Sequence, residues 1–182
     1  MGPRRRSTTL LRITALAAAL LLYLAAPAMR AGPPPVLLVT TCSVPCGLYW
    51  RRPGPPRPGD LVAACLPREQ AALALARGYV TRSRRCPAGE TPILKRLVTG
   101  PGARVDYRRQ LLTVGGAPLP RSSLRQLDRA GRPLPVSVTY PYTVPPGRVL
   151  LLAEHSDSYD GRYFGPVPRG LVLGAYRPLW TF

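Results

Sequence analysis

Thr40-Thr41-Cys42-Ser43-Val44-Pro45-Cys46-Gly47-Leu48-Tyr49-Trp50 is the stretch around which the rest of the chain is read. Pro45 pushes Val44 toward an extended backbone, and Gly47 permits a turn two residues later. Ser43 is therefore held just before a bend, outside any regular element. A hydroxyl presented in this way is a candidate nucleophile, but serine is weak without a base. The single histidine, His155, lies in a polar stretch with no evident relation to Ser43.

Composition points to a different base. Of 26 basic residues only Lys95 is lysine; all the others are arginine. Arginine stays protonated in proteins, whereas a desolvated lysine can become neutral, so the exception matters where an amine must act as a base. Around it, Thr91 to Thr99 is nearly continuous apolar sequence (Ile93, Leu94, Leu97, Val98), the pattern of a strand buried on both faces. Burial disfavours the ammonium, so Lys95 is expected to titrate well below its ordinary value.

Outward from these two residues the chain reads as short strands separated by turns. Val36 to Thr40 is strand-like, and Arg51 to Pro58, rich in Pro and Arg, reads as an exposed loop. Asp60 to Ala64 reads as a strand. Pro67 to Arg77, stopped by Gly78, has the punctuation of a short helix. Ala103 to Tyr107 and Gln110 to Val114 continue as a meander with a turn at Gly115-Gly116. Ser123-Leu124-Arg125-Gln126 has a capping-box pattern that predicts a second short helix, stopped by Gly131. Val136 to Tyr140 and Val149 to Ala153 read as further strands before the polar loop Glu154 to Gly161. The fold class expected is mainly β and antiparallel, with short helices.

The N-terminus is different in kind. Arg4, Arg5 and Arg6 precede a run of 17 uncharged residues, Ile13 to Met29, which Leu10, Leu11 and a snorkelling Arg12 can lengthen. This predicts a basic cytoplasmic N-terminus (1–9), a transmembrane signal-anchor (10–29) and a domain beyond the inner membrane (30–182). Ala26-Pro27-Ala28 fits a cleavage site as well, so a removed signal peptide is the competing reading. Pro33, Pro34 and Pro35 form a short stiff spacer.

All four cysteines, Cys42, Cys46, Cys65 and Cys86, lie beyond that segment, in an oxidising compartment. Cys65 and Cys86 flank the first helix, and joining them would close a loop of about 20 residues, adding roughly 3 kcal/mol by chain entropy. Cys42 and Cys46 flank Ser43 and could pinch its turn if the chain bends enough. Zinc is the alternative use, but there is no Cys-x-x-Cys pair or nearby histidine, so no metal and no cofactor is expected.

Four motifs stand in order along the chain: Ser43-Val44-Pro45, Gly59-Asp60-Leu61-Val62, Lys95-Arg96-Leu97-Val98, and Ser158-Tyr159-Asp160-Gly161-Arg162-Tyr163-Phe164-Gly165-Pro166. Together they resemble the conserved boxes of type I signal peptidases. Ser-x-Pro-x-Gly-x-Tyr and Arg-Tyr-Phe-Gly-Pro-Val resemble the TraF-type branch, from bacterial conjugative transfer systems. The resemblance spans roughly Pro35 to Leu179 and implies a signal-peptidase-like β domain with a Ser43/Lys95 dyad. It further implies that Ser158 hydrogen-bonds the catalytic ammonium, that Asp160 and Arg162 form a bracing ion pair, and that Cys65 pairs with Cys86. Gly161 departs from the family's Asp-Ser-Arg and removes any hydroxyl at that position. An exposed Asp160/Arg162 contact, worth under about 1 kcal/mol, is the plainer alternative.

A net charge of +18 with eight acidic residues raises a second class, a non-catalytic basic component that binds an anionic membrane surface or nucleic acid. The arginines are spread along the whole chain, with only two Phe and no basic run interleaved with stacking aromatics. No dedicated nucleic-acid site is expected. The expectation is a membrane-anchored serine endopeptidase whose partners are the inner membrane and an exported, pilin-type precursor. In it Ser43 attacks, Lys95 serves as base, and the Ser43 backbone N–H with Thr41 holds the oxyanion.

Overall fold

The computed structural model describes residues 14–17, 33–41 and 43–182. The chain divides into two compact units, Met1–Pro34 and Pro35–Phe182. Of the first, residues 14–17 are helical and exposed. The predicted membrane-spanning segment, residues 10–29, lies almost wholly outside the described residues, among which no helix is long and apolar enough to cross a membrane. Cys42, and with it the question of a Cys42–Cys46 bridge, also lies outside them.

The second unit is built on eleven strands: β1 (Val36–Val39), β2 (Gly47–Arg52), β3 (Leu61–Ala64), β4 (Ile93–Thr99), β5 (Arg104–Arg108), β6 (Leu111–Val114), β7 (Ala117–Pro118), β8 (Tyr142–Thr143), β9 (Arg148–Leu152), β10 (Val167–Pro168) and β11 (Val172–Thr181). Seven form one sheet in the order β1-β2-β11-β3-β4-β9-β10, and four form a smaller sheet, β7-β6-β5-β8. Every pairing is antiparallel. The mainly β expectation therefore holds, with two short helices, α1 (Arg68–Ala76) and α2 (Gly161–Phe164).

The period of two along each strand divides the core between the faces of the large sheet. Ala63 of β3 and Leu94 of β4 join Val39, Val44, Tyr49 and Tyr176 in one apolar cluster. Val62, Ala64, Leu97, Val149 and Leu151 pack on Val167 in another. The alternate β9 residues, Leu150 and Leu152, pack against Val105, Leu112 and Val144, which ties the small sheet to the large one. Covered on both sides, β9 is apolar almost throughout, as a doubly buried strand must be.

Pro67 caps α1 from outside instead of forming its first residue. Two other expectations fail. Residues 123–131 contain no helix. The backbone N–H groups that would begin it are taken from outside, Leu124 by the Tyr107 hydroxyl (3.2 Å) and Arg125 by the Tyr163 hydroxyl (3.0 Å). The Asp128 carboxylate then accepts from the N–H groups of Ala130 and Arg132, both at 2.9 Å, and curls the chain into a turn. Residues 136–140 form no strand either. Pro133, Pro135 and Pro141 around that segment have no N–H to give to a ladder. Strand β2 also runs two residues into the stretch read as loop, because Arg51 and Arg52 pair with Tyr176 and Ala175.

Cys65 and Cys86 are joined by a disulfide, with their Cα atoms 5.4 Å apart. It ties the end of β3 to the segment leading into β4, beside α1. Glu90 lies fully buried against it, one carboxylate oxygen accepting the Leu66 N–H at 2.9 Å. These three are the described side chains that gather as metal donors do, but their sulfur atoms are spent on each other.

Candidate active site

Three strands and one loop bring the candidate residues together. Ser43 sits in the turn between β1 and β2. Lys95 is the third residue of β4, opposite Val62 in the ladder with β3. Ser158 comes from the loop that leaves β9 and enters α2. Ser158 Oγ lies 3.3 Å from Ser43 Oγ and 2.5 Å from Lys95 Nζ. The two serines and the amine thus form one continuous hydrogen-bonded line across residues 115 and 63 positions apart in sequence.

Lys95 is 3% exposed and Ser158 7%. Burial removes the water that would solvate an ammonium, and the Arg162 charge adds to the penalty, while the Asp160 carboxylate opposes it. The balance lowers Lys95 from 10.5 to about 8. An amine with that value is neutral in about a tenth of molecules at pH 7, and in that form can accept a proton. Its sequence neighbour Arg96 turns to the other side, where it donates to the Glu154 carboxylate and to the Gly59 carbonyl. The ion pair is made by Arg96, while the amine one residue away is buried.

The loop from Glu154 to Asp160 is held from behind by Arg162. Its guanidinium meets the Asp160 carboxylate through two hydrogen bonds, Nε to Oδ1 at 2.9 Å and Nη2 to Oδ2 at 2.7 Å. Both side chains are fully buried, so the exposed-contact alternative does not apply. The same guanidinium donates to the carbonyls of His155 (2.7 Å), Ser156 (3.2 Å) and Arg121 (3.1 Å). Asp160 caps α2 by accepting the Arg162 N–H and also takes the Ala153 N–H at 2.8 Å. With every lone pair and donor engaged, the pair fixes both ends of the loop that carries Ser158.

Gly161 has a packing reason. A Cβ there would lie 2.7 Å from both Leu150 Cδ1 and the Leu151 carbonyl oxygen, so a serine has no room between α2 and β9. His155 is half-exposed, and its ring nitrogen accepts from the Asp157 N–H at 3.3 Å.

The turn itself is tightly drawn. The Ser43 N–H, expected to hold an oxyanion, donates to the Thr41 carbonyl at 2.7 Å. It can serve that purpose only once the Thr41 carbonyl has let it go. Thr41 is exposed. Sequence reasoning missed the group that fastens the turn, the Tyr49 hydroxyl on the Pro45 carbonyl, and the Arg96–Glu154 pair that ties β4 to the loop after β9. Only the Gly-x-Tyr spacing hinted at the first, and nothing local pointed to the second.

Comparison with known proteins places this geometry in context. Residues 9–180 match the family model described as signal peptidase, peptidase S26. The chain is 38% identical over 145 residues to the plasmid transfer protein TraF of Escherichia coli, covering 79% of this chain and 81% of that one. It is also 38% identical over 152 residues to the conjugal transfer protein TraF of Agrobacterium fabrum, covering 78% and 80%. Among solved structures, a signal peptidase I from Enterococcus faecalis aligns with a TM-score of 0.40 and 25% identity, over 67% of this chain and 97% of that one.

Proposed function

The chain belongs to the signal peptidase, peptidase S26, family, and from that premise we propose that it is a membrane-anchored serine endopeptidase working through Ser43 and Lys95. The observation that carries the reading is the line Ser43 Oγ, Ser158 Oγ, Lys95 Nζ, with a buried amine lowered to about 8 at its end. Ser43 Oγ attacks the scissile carbonyl carbon while its proton passes toward the neutral Lys95, with Ser158 on the path between them. Lys95 then returns that proton to the leaving amine. In the second half a water attacks the acyl group on Ser43, Lys95 again taking the proton and handing it to Ser43 Oγ as the Oγ–acyl bond breaks. Freed from the Thr41 carbonyl, the Ser43 N–H is the main-chain donor for the tetrahedral oxyanion, with the Thr41 hydroxyl as second donor.

Similarity to two conjugal or plasmid transfer proteins supports work in a conjugative transfer system. The substrate we propose is an exported precursor, of the pilin type, cut after its signal segment. The uncharged run from Ile13 to Met29, preceded by three arginines, supports a single inner-membrane anchor with the catalytic unit on the periplasmic side. Co-expression of the precursor with the intact chain or with Ser43→Ala tests the assignment. Mature product should appear with the first and not with the second, at equal amounts of membrane-inserted protein. Normal processing by Ser43→Ala refutes it.

A further inference from the structure

The reaction requires Ser43 to stand still relative to Lys95, yet Ser43 lies in a turn with no ladder of its own. Three consecutive residues after it are fastened instead. Val44 is buried in the cluster that also holds the Tyr49 ring and Leu94, the residue before Lys95. Pro45 has no N–H, and its carbonyl accepts the Tyr49 hydroxyl at 2.6 Å. The Cys46 carbonyl accepts the Phe182 N–H at 3.0 Å. Of these, the Val44 packing and the Tyr49 contact couple the turn to the strand of the base, since both side chains share one cluster with Leu94 of β4, and of the two only the Tyr49 contact is a directed bond.

We propose that Tyr49 is a positioning residue for the nucleophile, holding the Ser43 turn through its hydroxyl on the Pro45 carbonyl while its ring is locked against the strand that carries Lys95. The inference rests on the reading of Ser43 as nucleophile and adds to it a residue that touches neither substrate nor base. Tyr49 is 1% exposed, so no water replaces the hydroxyl when it is removed. Burial, with the Glu154 carboxylate and Cys46 nearby, raises its pKa above the ordinary 10, which keeps the proton on the oxygen as a donor throughout the range in which Lys95 titrates. Displacing a reacting atom by about 1 Å can cost on the order of 100-fold in rate, so a loosened turn acts on turnover rather than on binding.

Tyr49→Phe in the full-length, detergent-solubilised protein keeps the ring and removes the bond. With a pilin-type precursor from the same transfer gene cluster, kcat should fall roughly tenfold, as loss of a hydrogen bond worth about 1.4 kcal/mol in the transition state requires. KM and the pH midpoint set by Lys95 should stay where they are, because neither binding nor the amine has changed. A wild-type kcat for Tyr49→Phe overturns the proposal, as does a loss of activity that only tracks loss of folded protein. Hydrogen exchange tests it without substrate, so it stands apart from the peptidase assignment. The Gly47 and Phe182 amides should exchange faster in Tyr49→Phe while those of β3 and β4 do not. Unchanged exchange at the turn would overturn it, whereas wild-type inactivity on the precursor would count only against the assignment.

Discussion

Lys95 Nζ lies 2.5 Å from Ser158 Oγ, and the same oxygen lies 3.3 Å from Ser43 Oγ, so the amine reaches the proposed nucleophile through a hydroxyl that is nearly as buried as itself. The geometry has no use for a permanent charge. Lys95→Arg keeps the charge and most of the volume but cannot become neutral. Precursor cleavage by Lys95→Arg should be as fully lost as by Lys95→Ala. Activity above a trace in the arginine variant would remove the amine from the role of base.

The pH dependence follows from the lowering of Lys95 from 10.5 to about 8. Turnover should rise with pH through about 8 as the amine loses its proton. Stability moves in the same direction. Below about pH 8 both folded and unfolded chains hold the proton, and the folded state bears the full cost of a buried ammonium, about 3 kcal/mol. Between 8 and 10.5 the unfolded chain binds a proton that the native one has released, so stability climbs, and above 10.5 the cost is gone. Urea titrations of the intact chain and of Lys95→Met should show the difference in stability between the two climbing in favour of the intact chain across that window.

Asp160 and Arg162 test the loop. Arg162→Met removes the partner of a fully buried carboxylate and strips donors from the carbonyls of His155 and Ser156. It should destabilise by about 3–5 kcal/mol. Asp160→Asn/Arg162→Met should lose less than the sum of the two single changes, the signature of a coupled pair. A cost for Arg162→Met below about 1 kcal/mol would reduce the pair to a surface contact.

Gly161→Ser would restore the residue usual in the family at this position. Here it drives a Cβ against Leu150 Cδ1 and the Leu151 carbonyl oxygen, each 2.7 Å away. Overpacking of this kind costs about 1–3 kcal/mol. Denaturant midpoints should fall accordingly, and precursor cleavage should fall too, since α2 adjoins the loop that carries Ser158. An unchanged midpoint would show that β9 yields freely.

Much was legible in the sequence because it is written in neighbours. A lone lysine among arginines, set in an apolar run, identifies both a buried strand and its unusual amine. The proline and glycine around Ser43 identify a turn, and the nearly unbroken apolar runs of β3, β4 and β9 identify strands. Where the partner is far away, local pattern misleads. Residues 123–131 have a helix's opening, but hydroxyls from Tyr107 and Tyr163 take its backbone donors, and a propensity worth tenths of a kcal/mol yields to partly buried hydrogen bonds.

What the sequence by itself determined is the inventory of chemistry: one titratable amine, one presented hydroxyl, an antiparallel β unit and a charge-free run behind three arginines. Only the tertiary structure decided how those groups meet. It set Ser158 between Ser43 and Lys95, turned Asp160 and Arg162 inward to full burial, engaged the Ser43 N–H with Thr41, and placed the Tyr49 hydroxyl under Pro45. The physical reason is that hydrogen bonds and desolvation act through space over a few ångströms. Residues 43, 95 and 158 come within that range only after the sheet has formed.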